Sequence, residues 1–142
     1  MNQREQRCLF TKILALLVQQ INVTPGYTCA LGEVTRSDEQ AAINALKEDG
    51  RGELSTLLET NPRFHTLALT VSNNGKGNGI LMSVHRDGMA CDLMLYKDGV
   101  WCQDAKDYEQ FGVWWEKQDT LCRWGGRFQD PAHFSLEWMG RK

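Results

Sequence analysis

Ser83-Val84-His85-Arg86-Asp87-Gly88-Met89-Ala90-Cys91-Asp92 runs straight into Leu93-Met94-Leu95-Tyr96-Lys97-Asp98-Gly99-Val100-Trp101. The second half fixes the local architecture. From 90 to 96 the residues alternate, so that Ala90, Asp92, Met94 and Tyr96 fall on one face of a strand and Cys91, Leu93 and Leu95 on the other. Asp98-Gly99 between two apolar runs is a strong hairpin signal, with residues 100–103 returning. The first half is a loop in which Gly88 lets the chain turn from His85 into the strand, and it delivers Asp92 onto the strand's less apolar face.

Near the C-terminus the chain offers a matching set, Asp130-Pro131-Ala132-His133. Residues 133–138 alternate again, with His133, Ser135 and Glu137 on one face and Phe134, Leu136 and Trp138 on the other. A strand that buries its apolar face aims His133 at a groove on the opposite side. His85, Asp92 and His133 together make an N/O ligand set suited to zinc, with a fourth position left for water. Asp130 is placed to take that water's proton and pass it to a leaving amine. Ser83 is placed to orient the His85 ring from behind. Glu137 is the competing base, but four residues along a strand put it roughly 13 Å from His133, which makes it a rim residue.

Outward from these two motifs, residues 4–20 read as an amphipathic helix, with Leu9, Ile13, Leu16, Leu17 and Gln20 at helical spacing and a stop at Pro25-Gly26. Residues 27–35 read as a strand. Ser37 with Gln40 forms a capping box for a helix over 38–47 that carries Ala41, Ala42 and Leu46 inward. A short helix is expected over 53–59. Residues 64–71 fit either period; Asn61-Pro62 is a helix start signal and favours a helix. His65 there is a surface or packing histidine, with no partner at a useful spacing. Residues 73–79 form a glycine-rich loop that opens no helix, so it lacks the context of a phosphate cradle. A helix over 104–118 buries Tyr108, Phe111 and Trp115, and residues 121–129 read as irregular.

Length and composition narrow the class. At 142 residues the chain is read as one domain, 1–142, with an N-terminal helix over 4–20 and a zinc-site region over 27–138. A net charge of −2 leaves no basic bias, so nucleic acid is not expected as a partner. The longest apolar run near the start is too short to cross a bilayer and lacks a cleavage site, which implies no membrane insertion and a chain that is cytoplasmic as synthesised. Five cysteines, an odd number with no Cys-x-x-Cys pair, argue for buried or half-buried free thiols rather than disulfides or a thiolate zinc site.

Ser-x-His-x-x-Gly-x-Ala-x-Asp (83–92) followed by an acid-x-x-His pair (130–133) resembles the zinc peptidases that cut peptidoglycan stem peptides. These are the D-alanyl-D-alanine carboxypeptidases and dipeptidases and the L-alanyl-D-glutamate endopeptidases, phage endolysins among them. The resemblance spans roughly 27–138. Leu31-Gly32-Glu33-Val34-Thr35-Arg36, with Gln40 after it, looks like the family's arginine-ended strand. Trp124-Gly125-Gly126-Arg127-Phe128 looks like the closing segment of short phage-type members. Residues 49–74 are longer than in the smallest members, and Pro131 lies inside the acid-x-x-His pair. The resemblance implies an α+β fold of the hedgehog and DD-peptidase kind, a small central antiparallel sheet with helices packed around it. It implies Zn2+ on His85, Asp92 and His133, with Asp130 as acid/base. Arg36 would stabilise the oxyanion, with Gln40, Ser83 and Glu137 around the substrate. A phage-type L-alanyl-D-glutamate endopeptidase leads, ahead of a D-alanyl-D-alanine carboxypeptidase or dipeptidase. A rival of another class is a non-catalytic zinc-binding phage or wall-binding module. The implied partners are a peptidoglycan stem peptide and a holin-type pore for wall access, with the enzyme acting as a monomer.

Overall fold

Asn2 starts the first helix. Its side chain accepts from the Glu5 amide at 2.9 Å while the Glu5 carboxylate accepts from the Asn2 amide at 2.8 Å, a reciprocal cap that satisfies two otherwise orphaned donors. The computed structural model describes residues 1–33, Thr56 and 84–142, and every structural statement below concerns these. Helix α1 spans Gln3–Val23 and ends where Thr24 turns its hydroxyl back to the Gln20 carbonyl, at 2.7 Å. Its buried stripe is Gln6, Phe10, Ile13, Leu14, Leu17 and Ile21. Ile13 and Leu17 face inward as the spacing predicts, but Leu16 is 44% exposed and the stripe is rotated toward Phe10 and Leu14. Leucines sit on several sides of this helix, so periodicity alone allows more than one stripe. The aromatic pair Phe10–Trp115, with ring centroids 5.9 Å apart, holds the one that is used.

Strand β1 is Tyr27–Leu31, β2 Ala90–Lys97, β3 Val100–Trp101, β4 Cys122–Trp124 and β5 His133–Leu136. Helix α2, Ala105–Glu116, lies between β3 and β4 in the chain. All pairings are antiparallel, in the spatial order β1-β2-β5-β4, with β3 also paired to β2. The fold is therefore α+β: an antiparallel five-stranded sheet with two helices among the described residues. The β2–β3 hairpin turns on Asp98 (φ 49°) and Gly99 (φ 78°), two consecutive left-handed residues, which is the geometry an Asp-Gly pair favours.

Both helices pack on one face of the sheet. Phe10, Leu17 and Ile21 of α1 and Tyr108, Phe111 and Trp115 of α2 close over Cys91, Leu93, Leu95, Phe134 and Leu136. The opposite face of β2, with Asp92, Met94 and Tyr96 half-buried, is thereby left to the functional site.

Several sequence expectations change here. Residues 121–129 are not irregular: they form β4 and a 3-10 turn, Gly125–Phe128. A three-residue strand is too short for its alternation, with Cys122 and Trp124 buried and Arg123 half-buried, to stand out. The 133–138 strand stops at Leu136, and all four of its residues are buried because β5 is paired on both sides. Trp138 leaves the main core and packs on the small cluster Val84, Met89 and Ala90. Finally, Cys8 is an exposed thiol, Cys29 is half-buried, and Cys91, Cys102 and Cys122 are buried, all unpaired. The expected 27–35 strand stops at Leu31, with Gly32 and Glu33 outside it, and residues 34–35 lie outside the described residues, as do the expected elements over 38–47, 53–59, 64–71 and 73–79, save that Thr56 is helical. No helix among the described residues is long and apolar enough to cross a membrane.

Candidate metal centre

Two neighbouring strands and one turn build the site. Asp92 on β2 and His133 on β5 are direct cross-strand partners, which sets their side chains next to each other on one sheet face. His85 arrives from the 3-10 turn Val84–Asp87. Gly88, at φ 69°, reverses the chain after that turn, and the Met89 amide closes it onto the Val84 carbonyl at 3.1 Å.

The turn is held from outside. Arg7 of α1 donates to the Asp87 carbonyl at 2.6 Å, Gln3 donates to the Asp87 carboxylate at 3.3 Å, and Arg141 pairs with that carboxylate at 2.8 Å. These contacts span most of the chain's length in sequence, and nothing in the local pattern announces them.

The three ligand atoms converge. His85 Nε2 lies 3.1 Å from Asp92 Oδ1 and 3.1 Å from His133 Nδ1, and His133 Nδ1 lies 3.4 Å from Asp92 Oδ1. A tetrahedral zinc ion with bonds of about 2.0–2.1 Å needs ligand atoms about 3.3 Å apart, so the triangle has the right size before any adjustment. The donor set fits as well, since two imidazole nitrogens and a carboxylate oxygen aim lone pairs at one point. Among the described residues this is the group of metal-binding side chains that could hold an ion. The histidine side chains are 3% and 5% exposed and that of Asp92 35%, so the site opens on the Asp92 side. The thiols take no part: burial pushes those of Cys91 and Cys122 up to about 12.

The electrostatics agree with a polar cluster tuned to hold charge. Burial alone would raise the Asp92 carboxyl. Hydrogen bonds and positive charge from His133 and His85 outweigh it and hold the group well below the usual carboxylate range. Asp130 behaves oppositely. The residue is exposed as a whole, yet its carboxyl is partly screened from water, which raises it above the usual range. Asp92's charge adds to this, and the two histidines oppose it. Asp130 thus senses all three members of the cluster.

The segment carrying Asp130 and His133 is braced in ways the sequence reading missed. The Trp124 indole N–H donates to the Pro131 carbonyl at 2.9 Å, between the two functional residues. The Asp130 amide donates to the Gly125 carbonyl at 2.9 Å, and the Asp130 carbonyl accepts from the His133 amide at 3.1 Å. A Cβ on Gly125 would come within 2.0 Å of the Asp130 carbonyl oxygen and 2.7 Å of the His133 Cβ, so only glycine fits. The Phe128 ring packs edge-on against His133, with centroids 5.8 Å apart. The Gly125-Gly126 pair was the available signal: two glycines beside a tryptophan mark a close approach of backbone rather than a loose loop.

Glu137, the competing base, is engaged elsewhere, in an ion pair with Arg123 at 2.7 Å. Ser83, Arg36 and Gln40 lie outside the described residues. No protein-family model, no curated protein and no solved structure matches the chain. The site is accordingly read from its own residues.

Proposed function

We propose that the protein is a zinc-dependent peptidase that hydrolyses an amide bond of peptidoglycan stem peptides, acting as a phage-type L-alanyl-D-glutamate endopeptidase. The observation that carries this reading is the 3.1–3.4 Å triangle of His85, Asp92 and His133 beside a carboxyl, Asp130, that is held above its ordinary range. The wall substrate comes from the resemblance of the 83–92 and 130–133 motifs to the family named above. A zinc ion held by the triangle would polarise a carbonyl and bring the pKa of a water to roughly 7.

The chain's own residues then have distinct tasks. The Asp130 carboxylate accepts a proton from the attacking water. As the amide C–N bond breaks, Asp130 returns that proton to the departing nitrogen, so it ends as it began. Partial screening from water favours its protonated form and makes it a better acid in the second step, while a bound cation would draw its pKa back down and keep it a base in the first. Asp92 stays ionised and supplies the negative charge that a dication needs. Trp124 and Gly125 fix the position of Asp130 relative to His133.

Purified peptidoglycan, incubated with wild type or Asp130→Asn, tests this. The wild type should lower turbidity and release new amino groups, whose identity names the bond. Asp130→Asn should keep its zinc and lose at least about 100-fold in rate, within the usual range for general acid–base catalysis. Zinc-loaded wild type that releases no amino groups from any wall preparation would overturn the peptidase reading.

A further inference from the structure

One edge of β2 changes partner part-way along. β5 pairs with it at Ala90, Cys91 and Asp92, and its last contact there is the Leu93 amide donating to the Ala132 carbonyl at 2.8 Å. β3 pairs at Tyr96 and Lys97, and the Leu95 carbonyl accepts from the Cys102 amide at 2.8 Å. The notch between them falls at Met94. Here the Tyr108 hydroxyl substitutes for a strand. It accepts from the Leu95 amide at 3.1 Å and donates to the Cys102 carbonyl at 3.3 Å. The notch stays open as a cavity of about 230 Å3 walled by Met94, Trp101, Cys102, Tyr108, Pro131 and Ala132.

Its position ties it to the metal centre. Met94 lies two residues beyond Asp92 on the same strand face, roughly 7 Å away, and Ala132 immediately precedes His133. Its chemistry is equally definite. Among the described residues that line it none is charged, and Gln103 is the polar side chain at its edge. Against these described residues a carboxylate would lose part of its water and gain no counter-charge. An apolar cavity of about 150 Å3 accommodates benzene, so 230 Å3 takes a four-carbon aliphatic chain with room to spare, and a methyl group would fill little of it.

We infer that this cavity is a specificity subsite of the metal centre, receiving an uncharged aliphatic side chain, longer than a methyl, from a residue of the bound peptide beyond the two that flank the bond that is cut. The role assigned to it rests on the peptidase reading, but its occupancy does not. Neither alanine nor glutamate, the residues that flank the bond in the proposed reaction, suits it: a methyl leaves it largely empty, and a carboxylate finds no counter-charge among the described lining residues. The aliphatic stem of a longer residue is what it selects.

The test is a titration of the full-length protein, as purified, with acetyl-norleucine amide, acetyl-alanine amide and acetyl-glutamate amide, followed by NMR shifts. Norleucine should bind about tenfold more tightly than alanine, roughly half of what three fully buried extra methylenes would yield. Glutamate should bind no better than alanine. The shifts should centre on Met94, Ala132 and the Trp101 indole. Met94→Phe, which fills the cavity, and Trp101→Ala, which removes an exposed wall, should each bring norleucine within about twofold of alanine. Equal affinities in the wild type, no saturable binding, shifts centred elsewhere, or variants that retain the discrimination would overturn the inference. Discrimination with no wall hydrolysis counts against the peptidase reading alone, and hydrolysis without discrimination counts against the subsite alone.

Discussion

Cys91, Leu93 and Leu95 on one face of β2 are fully buried beneath two helices, while Asp92 and Met94 on the other are half-buried and belong to the candidate metal centre and the cavity beside it. The residues alternate along one strand, yet the faces obey different demands. The core face needs volume, and any residue of suitable size and apolarity serves it about equally. The site face needs particular atoms at particular points, where a shift of an ångström separates a ligand triangle from three polar side chains. One strand can meet both demands because the antiparallel register that pairs Asp92 with His133 also pairs Cys91 with Phe134. Packing Phe134 correctly therefore places His133.

Substitutions on the two faces should separate these demands. The largest effect belongs to the core: Phe134→Ala should lower the unfolding free energy by about 3–5 kcal/mol in urea titrations. On the opposite face His133→Ala should weaken zinc binding by at least about 100-fold, or roughly 2.7 kcal/mol, in competition with a chelating dye. In the wild type, free zinc at a hundred times its Kd should stabilise the fold by about 2.7 kcal/mol and raise Tm by on the order of 5–10 °C, and this gain should vanish in His133→Ala. If Phe134→Ala lost zinc without losing stability, the division between faces would fail.

Gly125→Ala joins the faces, because its Cβ would strike the Asp130 carbonyl oxygen. A cost of about 1–3 kcal/mol is expected together with weaker zinc binding, read by the same two assays. Trp124→Phe removes one hydrogen bond to the Pro131 carbonyl and should cost about 1 kcal/mol, with a smaller fall in affinity.

The fold was legible where two signals agreed. The β2–β3 hairpin had alternation and an Asp-Gly turn together, and α2 had an aromatic stripe, Tyr108, Phe111 and Trp115, with a single arrangement open to it. The buried stripe of α1 was only partly legible, because its leucines allow two and the choice is made by Trp115, far along the chain. The convergence of His85, Asp92 and His133 could be read because they stand in short motifs whose turn residue and strand phase are local. Their supports could not. The bonds from Arg7, Gln3 and Arg141 to Asp87, and from Trp124 to Pro131, join segments brought together only by the finished sheet.

The smallest effect is one of direction. The Asp92 carboxyl is held low in the metal-free fold, so as pH falls the unfolded chain takes up that proton first. Its contribution is complete above about pH 4, the ordinary aspartate range, and is lost as pH falls further toward its folded value. Asp92→Asn should therefore flatten the acid limb of metal-free stability below about pH 4, as followed by urea unfolding across pH.

The most direct test of the account is X-ray absorption at the zinc edge on protein loaded with one equivalent, wild type beside His133→Ala. The wild type should show four nitrogen or oxygen neighbours at about 2.0–2.1 Å, two of them with imidazole scattering and none of them sulfur. That pattern should be lost in His133→Ala. A sulfur shell near about 2.3 Å, drawn from the five cysteines, or a spectrum unchanged by His133→Ala, would contradict the assignment of His85, Asp92 and His133 as the metal site.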